Sequence, residues 1–435
     1  MKKIHIILAF VLLSFSVPVQ ASAAMQGESI YDLLVDRYFN QTNQNDIDAN
    51  TQDPAAFAGG DFLGIINRLD HIKDMGFTYI SMGPVFETSD YKGSSITNYS
   101  TVAPHFGTVE DFKHLLETLQ SQNMKAMIDL PLAQAEEAEF SEMKQFLETF
   151  PVDGVKLTGI SENTSPRLAS FIEEINTDEL DVIALEESDL PVDVTYSEER
   201  VNAFQQAFKT TDQPTEGLEG LASTDLLAID TLASNRFTYV STEENMFPPT
   251  RVKMAVGALL TLPGVPLMTY GTEIAMNGNS DETSHQIMNF RVDEDIMLFI
   301  EDLQTIRNQS QALQVGDMEM LENDNGYMVF KRSTEEESFI VVINNTSATQ
   351  TFTASEELIG KDKELRGLFE QDIVRQDADG NYKLVLDREI VELYHVKEDS
   401  GLNMAYIVAM IIAYALFLAF IYLVWRKGKQ KQQQT

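Results

Sequence analysis

The sequence predicts a parallel α/β body, a smaller antiparallel β-domain after it, and one C-terminal helix long enough to cross a membrane. Three observations predict this order. From Ser29 to about Arg307 short apolar β-rich runs alternate with amphipathic helical stretches; beyond about residue 313 alternating strands are separated by tight turns; and Leu402–Trp425 carries no charge. In the body, Ile30–Tyr38, Phe77–Met82, Lys125–Leu130, Val155–Leu157, Asp181–Leu185 and Val265–Tyr270 read as strands. Phe62–Met75, Val109–Gln122, Glu139–Thr149, Pro166–Ile175 and Arg251–Leu260 carry the helical period between them. Strand then helix at this spacing makes a parallel sheet covered by helices, open or closed into a barrel. In the second domain Tyr327–Lys331, Ser338–Asn344, Thr349–Thr353, Tyr382–Leu386 and Ile390–Val396 are the expected strands. Asn323-Asp324-Asn325-Gly326 and Asp377-Ala378-Asp379-Gly380 are the expected turns. The domain limits are therefore 24–312 and 313–398.

Composition narrows the function classes. The 435 residues are 43% hydrophobic, with 25 Phe and one Trp, enough for a sizeable core. There is no Cys, so neither a disulfide framework nor thiolate chemistry is available. The formal charge is −37, and its distribution is uneven. Residues 1–23 and 402–435 together hold six basic residues and no acid, leaving the body with 68 acids against 25 Lys and Arg, a net of −43. Such a surface repels nucleic acid and anionic lipid and keeps the body soluble.

Two hydrophobic segments set the expected address. Met1-Lys2-Lys3, an apolar run from Ile4 to Val17, Pro18 and Ala21-Ser22-Ala23 form a secretory signal peptide, 1–23, cleaved after Ala23. Leu402–Trp425 spans about 36 Å as a helix. Arg426, Lys427, Lys429 and Lys431 follow it, while Glu398 and Asp399 precede it. By the positive-inside rule the protein is single-pass in the cell membrane, with the body extracellular and the tail 426–435 cytoplasmic. Ala405, Ala409 and Ala413 share one helix face and would admit a membrane-protein partner at close approach.

Several stretches carry a family resemblance. Ile30-Tyr31-Asp32-Leu33-Leu34-Val35-Asp36-Arg37-Tyr38-Phe39-Asn40 resembles the first barrel strand of the α-amylase family, glycoside hydrolase family 13. Gly59-Gly60-Asp61-Phe62-Leu63-Gly64-Ile65-Ile66, Gly83-Pro84-Val85-Phe86-Glu87 and Phe106-Gly107-Thr108 follow in the family's order. The stretch from Leu260 through Pro263-Gly264-Val265-Pro266 to Tyr270-Gly271-Thr272-Glu273-Ile274 resembles its last helix and eighth strand. The likeness runs from about residue 29 to 396. It implies a (β/α)₈ TIM barrel followed by a C-terminal antiparallel β-sandwich domain.

Family members are retaining glycosidases that use one carboxylate as nucleophile and a second as acid/base. A third acid and two His grip the sugar. Carried over residue by residue, most of this is missing. The third-strand motif is Asp129-Leu130-Pro131-Leu132-Ala133-Gln134, where the expected Asn and His are Ala133 and Gln134. The fourth is Asp153-Gly154-Val155-Lys156-Leu157-Thr158, with Lys156 for the expected Arg and Thr158 for the nucleophilic Asp. The seventh is Asp230-Thr231-Leu232-Ala233, with Leu232 for His and Ala233 for the transition-state Asp. Ser94 replaces a stacking Tyr. Glu186 is the surviving catalytic candidate, and it equally fits a solvated strand-end acid. A neutral hydroxyl does not replace a carboxylate nucleophile, and removing core members of a catalytic unit costs factors of about 10³–10⁶. The insertion that walls the groove of relatives after the third strand is reduced to the short acidic stretch Ala135–Phe150.

The loop Asn40–Asp46 with Gly59 and Asp61 resembles a family calcium site; its expected ligands are Asn40, Asn45, Asp46, the Gly59 carbonyl and Asp61, for a structural Ca²⁺. These readings converge on a membrane-anchored pseudoenzyme that binds α-glucan or acts as a surface scaffold. The alternatives are an accessory subunit of a membrane transporter or enzyme, and an active hydrolase with relocated catalytic residues. Exposed aromatics at the barrel mouth would favour carbohydrate.

Overall fold

A computed structural model describes residues 25–291, 294–399, 401 and 404–432. The signal-peptide segment 1–23 lies outside the described residues, as do Leu402 and Asn403 at the start of the apolar run. The chain gathers into two compact units that interleave along the sequence. The first takes the chain up to Asn202 with Gly220–Arg236 and Pro263–Gln304; the second takes Ala203–Glu219, Phe237–Leu262 and everything from Thr305 onward.

The first unit is a parallel barrel. Strands β1 (Ile30–Leu34), β2 (Tyr79–Gly83), β5 (Lys125–Pro131), β6 (Gly154–Thr158), β7 (Asp181–Ala184), β8 (Leu226–Ala228) and β9 (Val265–Thr269) pair in the order β7-β6-β5-β2-β1-β9-β8. A short antiparallel hairpin, β3 (Phe86–Thr88) and β4 (Ile96–Val102), stands outside that sheet. Two parallel bridges, Ile183 to Val194 and Thr195 to Asp225, join the sheet's two edges. Val194-Thr195 thus occupies the remaining strand position and closes the ring. Two residues carry no readable alternation, which is why the sequence did not signal them. Residues 185–193 reach this position without the helix that a β-then-α repeat would insert.

Ile30, Tyr79, Met127, Ile183, Val194, Leu226, Val265 and Leu267 meet in one apolar cluster, the barrel interior. The helix Val109–Ser121 starts at a capping box in which Thr108 accepts from the Asp111 amide and Asp111 from the Thr108 amide. It buries Phe112, Leu115, Leu116 and Leu119.

Two expected elements differ. β1 stops at Leu34, and Val35–Tyr38 form one helical turn instead of prolonging the strand. Asp36 there accepts the Ala58 amide at 2.9 Å, while Arg37 donates to Pro54 O at 2.7 Å and Ala56 O at 2.9 Å. An extended strand would send these neighbours to opposite faces, so they could not grip one loop. Phe62–Met75 is two helices, Phe62–Asn67 and Leu69–Asp74, broken at Arg68, whose guanidinium stacks on Phe39 and Phe290.

In the second unit, β10 (Asp317–Asp324), β11 (Tyr327–Ser333), β12 (Ser338–Asn344), β14 (Lys363–Gly367), β15 (Ile373–Arg375) and β17 (Ile390–Glu398) form one sheet, and β13 (Gln350–Ser355) pairs with β16 (Asn381–Leu386). Tyr327, Val329, Ile340, Val342 and Leu365 from the first pack on Ala354, Tyr382 and Leu384 from the second, making the sandwich core. The β10–β11 turn puts Asn325 at φ 45° and Gly326 at φ 95°, the left-handed pair that a tight hairpin needs. A helix, Met404–Gln432, ends the described chain. Its Tyr406–Arg426 stretch has a mean hydropathy of 2.8 and no buried share, long and apolar enough to cross a membrane.

Candidate functional site

Side chains from within β1, β5 and β6 meet in a buried triad. Asp32 lies two residues beyond Ile30, Asp129 two beyond Met127, and Lys156 two beyond Gly154. Ile30 and Met127 belong to the interior cluster, and a Cβ on Gly154 would fall 2.8 Å from Met127 Cε. Strand alternation therefore carries all three charged side chains into the barrel. Lys156 Nζ donates to Asp32 Oδ1 and lies 2.8 Å from Asp129 Oδ1. Exposures of 0% for Asp32, 1% for Lys156 and 7% for Asp129 leave little water to screen these charges. Burial, reinforced by the Asp32 charge and opposed by Lys156, pushes the Asp129 carboxyl up to about 7. Burial alone would lower Lys156, but its two carboxylates outweigh that and hold the ammonium above its ordinary value. Gly83 makes the space: a Cβ there would lie 1.9 Å from Asp129 Oδ2.

The next rung outward joins three loops. Glu186, two residues past β7, accepts the Gly159 and Ile160 amides on Oε1 and the Ser161 amide on Oε2, the last at 2.8 Å. Partial burial acts to raise its pKa, but these backbone bonds prevail and hold the carboxyl below its ordinary value. A general acid needs the opposite shift, toward the working pH. Asn163 Nδ2 donates to Leu132 O at 2.6 Å and Ala135 O at 2.9 Å, tying the loop after β6 to the loop after β5. A Cβ on Gly159 would lie 2.6 Å from that of Ala133, so not even a methyl fits between the two loops. Thr158, half-buried, ends β6 beneath this seam, and its carbonyl accepts the Leu132 amide. Gln134 is exposed beside it.

The remaining degenerate positions belong to a second group. The Leu232 carbonyl accepts from His285 Nε2 at 2.7 Å, which leaves Nδ1 of that ring to accept the Tyr91 hydroxyl at 3.2 Å. Tyr91 in turn lies 3.8 Å under the Arg37 guanidinium. Ala233 and Ser94 are exposed.

The expected calcium ligands come together in part. Asn40 Nδ2 donates to Asp46 Oδ1 at 2.8 Å, and a Cβ on Gly59 would lie 2.5 and 2.6 Å from those same atoms. Asn45 commits its amide nitrogen to His105 O, while its Oδ1 is buried without a hydrogen-bond partner. Asp61 is engaged elsewhere, capping a helix through Gly64 N and accepting the Gln41 and Thr42 amides. Burial first, and then the Asp46 charge, raises both Asp36 and Asp61. Among the described residues no three His, Cys, Asp or Glu form a metal cluster, so a cation here would rely on amide and carbonyl oxygens, which suits calcium.

Two depressions of about 960 and 570 Å³ open at the opposite, N-terminal ends of the strands, around Met124, Lys125, Asp153 and Thr177. Barrel enzymes place their chemistry at the other end.

Two family models match this chain: the α-amylase catalytic domain over residues 33–145 and the α-amylase C-terminal domain over residues 316–394. The chain belongs to the α-amylase family. A crystal structure of an Anoxybacillus α-amylase superposes with a TM-score of 0.82 at 29% identity, covering 87% of this chain and 99% of that one. A Geobacillus thermoleovorans α-amylase, solved in complex with acarbose, gives a TM-score of 0.78 at 27% identity, covering 86% and 99%. The β/α-amylase of Paenibacillus polymyxa is 25% identical across 78% of this chain, which spans 35% of that longer protein. The intracellular maltogenic amylase of Bacillus subtilis strain 168 is 20% identical over 77% of this chain and 71% of its own length.

Within the family frame, the sequence-derived positions Lys156, Thr158, Gln134 and Glu186 fall around one seam. Sequence reasoning missed Asp32, the partner of Lys156, and Asn163, the tie between loops. Asp32 did carry a signal: an acid inside an otherwise apolar strand, in phase with Ile30, requires a buried cation. Asn163 carried none, because its partners are carbonyls.

Proposed function

We propose that this member of the α-amylase family is a membrane-anchored pseudoenzyme that acts as an extracellular surface scaffold, with body outside and basic tail inside. The observation that carries this reading is Glu186. With Thr158 and Ala233 at the other two carboxylate positions, it is the last candidate acid, and its oxygens are spent on three backbone amides. The same bonds favour its ionised form, unsuited to protonating a glycosidic oxygen. Structural calcium at the Asn40–Asp46 loop, held by Asn40, Asn45, Asp46 and the Gly59 carbonyl, is part of the proposal, with Asp61 shaping the loop as a helix cap.

A scaffolding role is favoured over α-glucan binding because sugar rings bind on exposed aromatic faces. Among the described residues of the body, Phe247 is the one exposed aromatic. A membrane-protein partner would be recruited along the apolar helix, and nucleic acid is disfavoured by the acidic body. Titration of the detergent-solubilised full chain with maltooligosaccharides tests the choice. No saturable heat supports the scaffold; saturable binding would replace it with the glycan-binding reading.

A further inference from the structure

The buried triad is more than a charge pair, and its geometry goes beyond the proposed scaffold. Lys156 Nζ touches both Asp32 and Asp129, one amine between two carboxyl groups inside the barrel. The second oxygen of Asp32, Oδ2, is buried without a hydrogen-bond partner. A buried ion pair is tolerated when its remaining polar atoms are satisfied, and here one is not. Ser81, which faces Asp32 in the β1–β2 register, likewise has a buried hydroxyl without a partner. The arrangement leaves the ions poorly served and brings a nucleophile, an acyl carbon and a proton shuttle into contact.

We infer that Lys156 and Asp32 condense into an intramolecular isopeptide bond, with Asp129 as the proton-transferring catalytic residue. The proton on Lys156 passes along the existing hydrogen bond to Asp32, giving a neutral amine beside a neutral carboxylic acid. That exchange conserves net charge and removes two opposite charges from a pocket shielded from water. The Nζ lone pair attacks Asp32 Cγ. Asp129, whose carboxyl burial pushes up to about 7, gives its proton to the departing hydroxyl and takes one from Nζ. The Cγ–O bond breaks, the Nζ–Cγ bond forms, one water leaves, and nothing is oxidised or reduced. Contact between the reacting groups supplies the effective concentration that free amine and acid lack. The product replaces two desolvated charges with a neutral amide, and the protonated Asp129 remains to donate to its carbonyl.

The bond would join β1 to β6 across 124 residues of sequence in a chain with no Cys, a covalent brace that needs no oxidant. Denaturing intact-mass and peptide mass spectrometry on the full chain, extracted from membranes, tests this. The expected result is a mass lower by one water, with the tryptic peptide ending at Arg37 joined to Gln145–Arg167 and no cleavage after Lys156. Lys156→Arg should restore the full mass and release both peptides. The peptide readout is independent of where the leader is removed. Cleavage after Lys156, with the two peptides separate in the native protein, would overturn the inference.

Discussion

Replacing Glu186 by Gln separates a structural role from a catalytic one. The carboxylate gathers three amides, Gly159, Ile160 and Ser161, onto two oxygens. An amide side chain keeps one oxygen and turns an NH₂ toward at least one N–H donor, so part of the clamp becomes repulsive. Hydrogen bonds to a charged acceptor are each worth about 1.5–3 kcal/mol when buried, but Glu186 is partly solvated, so the whole loss should be about 1–3 kcal/mol. The pH dependence follows from the lowered pKa. A carboxyl depressed in the folded state stabilises the protein above its unfolded value, and that contribution is lost as pH falls through the folded value. The gap between wild type and Glu186→Gln should therefore be full at pH 7 and shrink as pH falls through the lowered value of that carboxyl. Chemical denaturation of the detergent-solubilised chain, followed by circular dichroism, measures it. Equal stability at pH 7 would refute the clamp and return Glu186 to the catalytic candidates.

Three further outcomes follow from the same structure. Asp129 is raised in the folded state to about 7, so its contribution is fully present below about pH 4 and lost as pH rises through 7; Asp129→Asn should remove that slope in unfolding free energy. Asn163→Ala breaks two bonds, to Leu132 O and Ala135 O, and should cost about 1–2 kcal/mol, with faster amide exchange in residues 159–163 as the local readout. A chelator should lower the melting temperature if the Asn40–Asp46 loop holds calcium, and added protease should digest the body on intact cells if the C-terminal helix is the tether; an unmoved melting temperature or a protected body would remove the respective proposal.

Much of the fold was legible because period and order are local properties. Val109–Gln122 and Ser338–Asn344 could be placed within a residue or two from apolar spacing alone, and the Asn325-Gly326 turn from its backbone requirement. What stayed hidden depends on partners distant in sequence. Val194-Thr195 is a strand only because Ile183 and Asp225 flank it. Lys156 looked like a weakened Arg until Asp32, on the far side of the barrel sequence, supplied its counter-ion. Glu186 stands out as a candidate because its residue type matches; the backbone amides that hold its carboxyl below its ordinary value are invisible to side-chain motifs.

The central claim is that the family's hydrolytic chemistry is gone. Hydrolysis of maltooligosaccharides and a chromogenic α-glucoside by the full chain, beside Glu186→Gln, tests it most directly. The account predicts no turnover by the native protein above that control. Clear turnover that Glu186→Gln abolishes would mean that Glu186 works as an acid, that another residue serves as nucleophile, and that the protein is an enzyme.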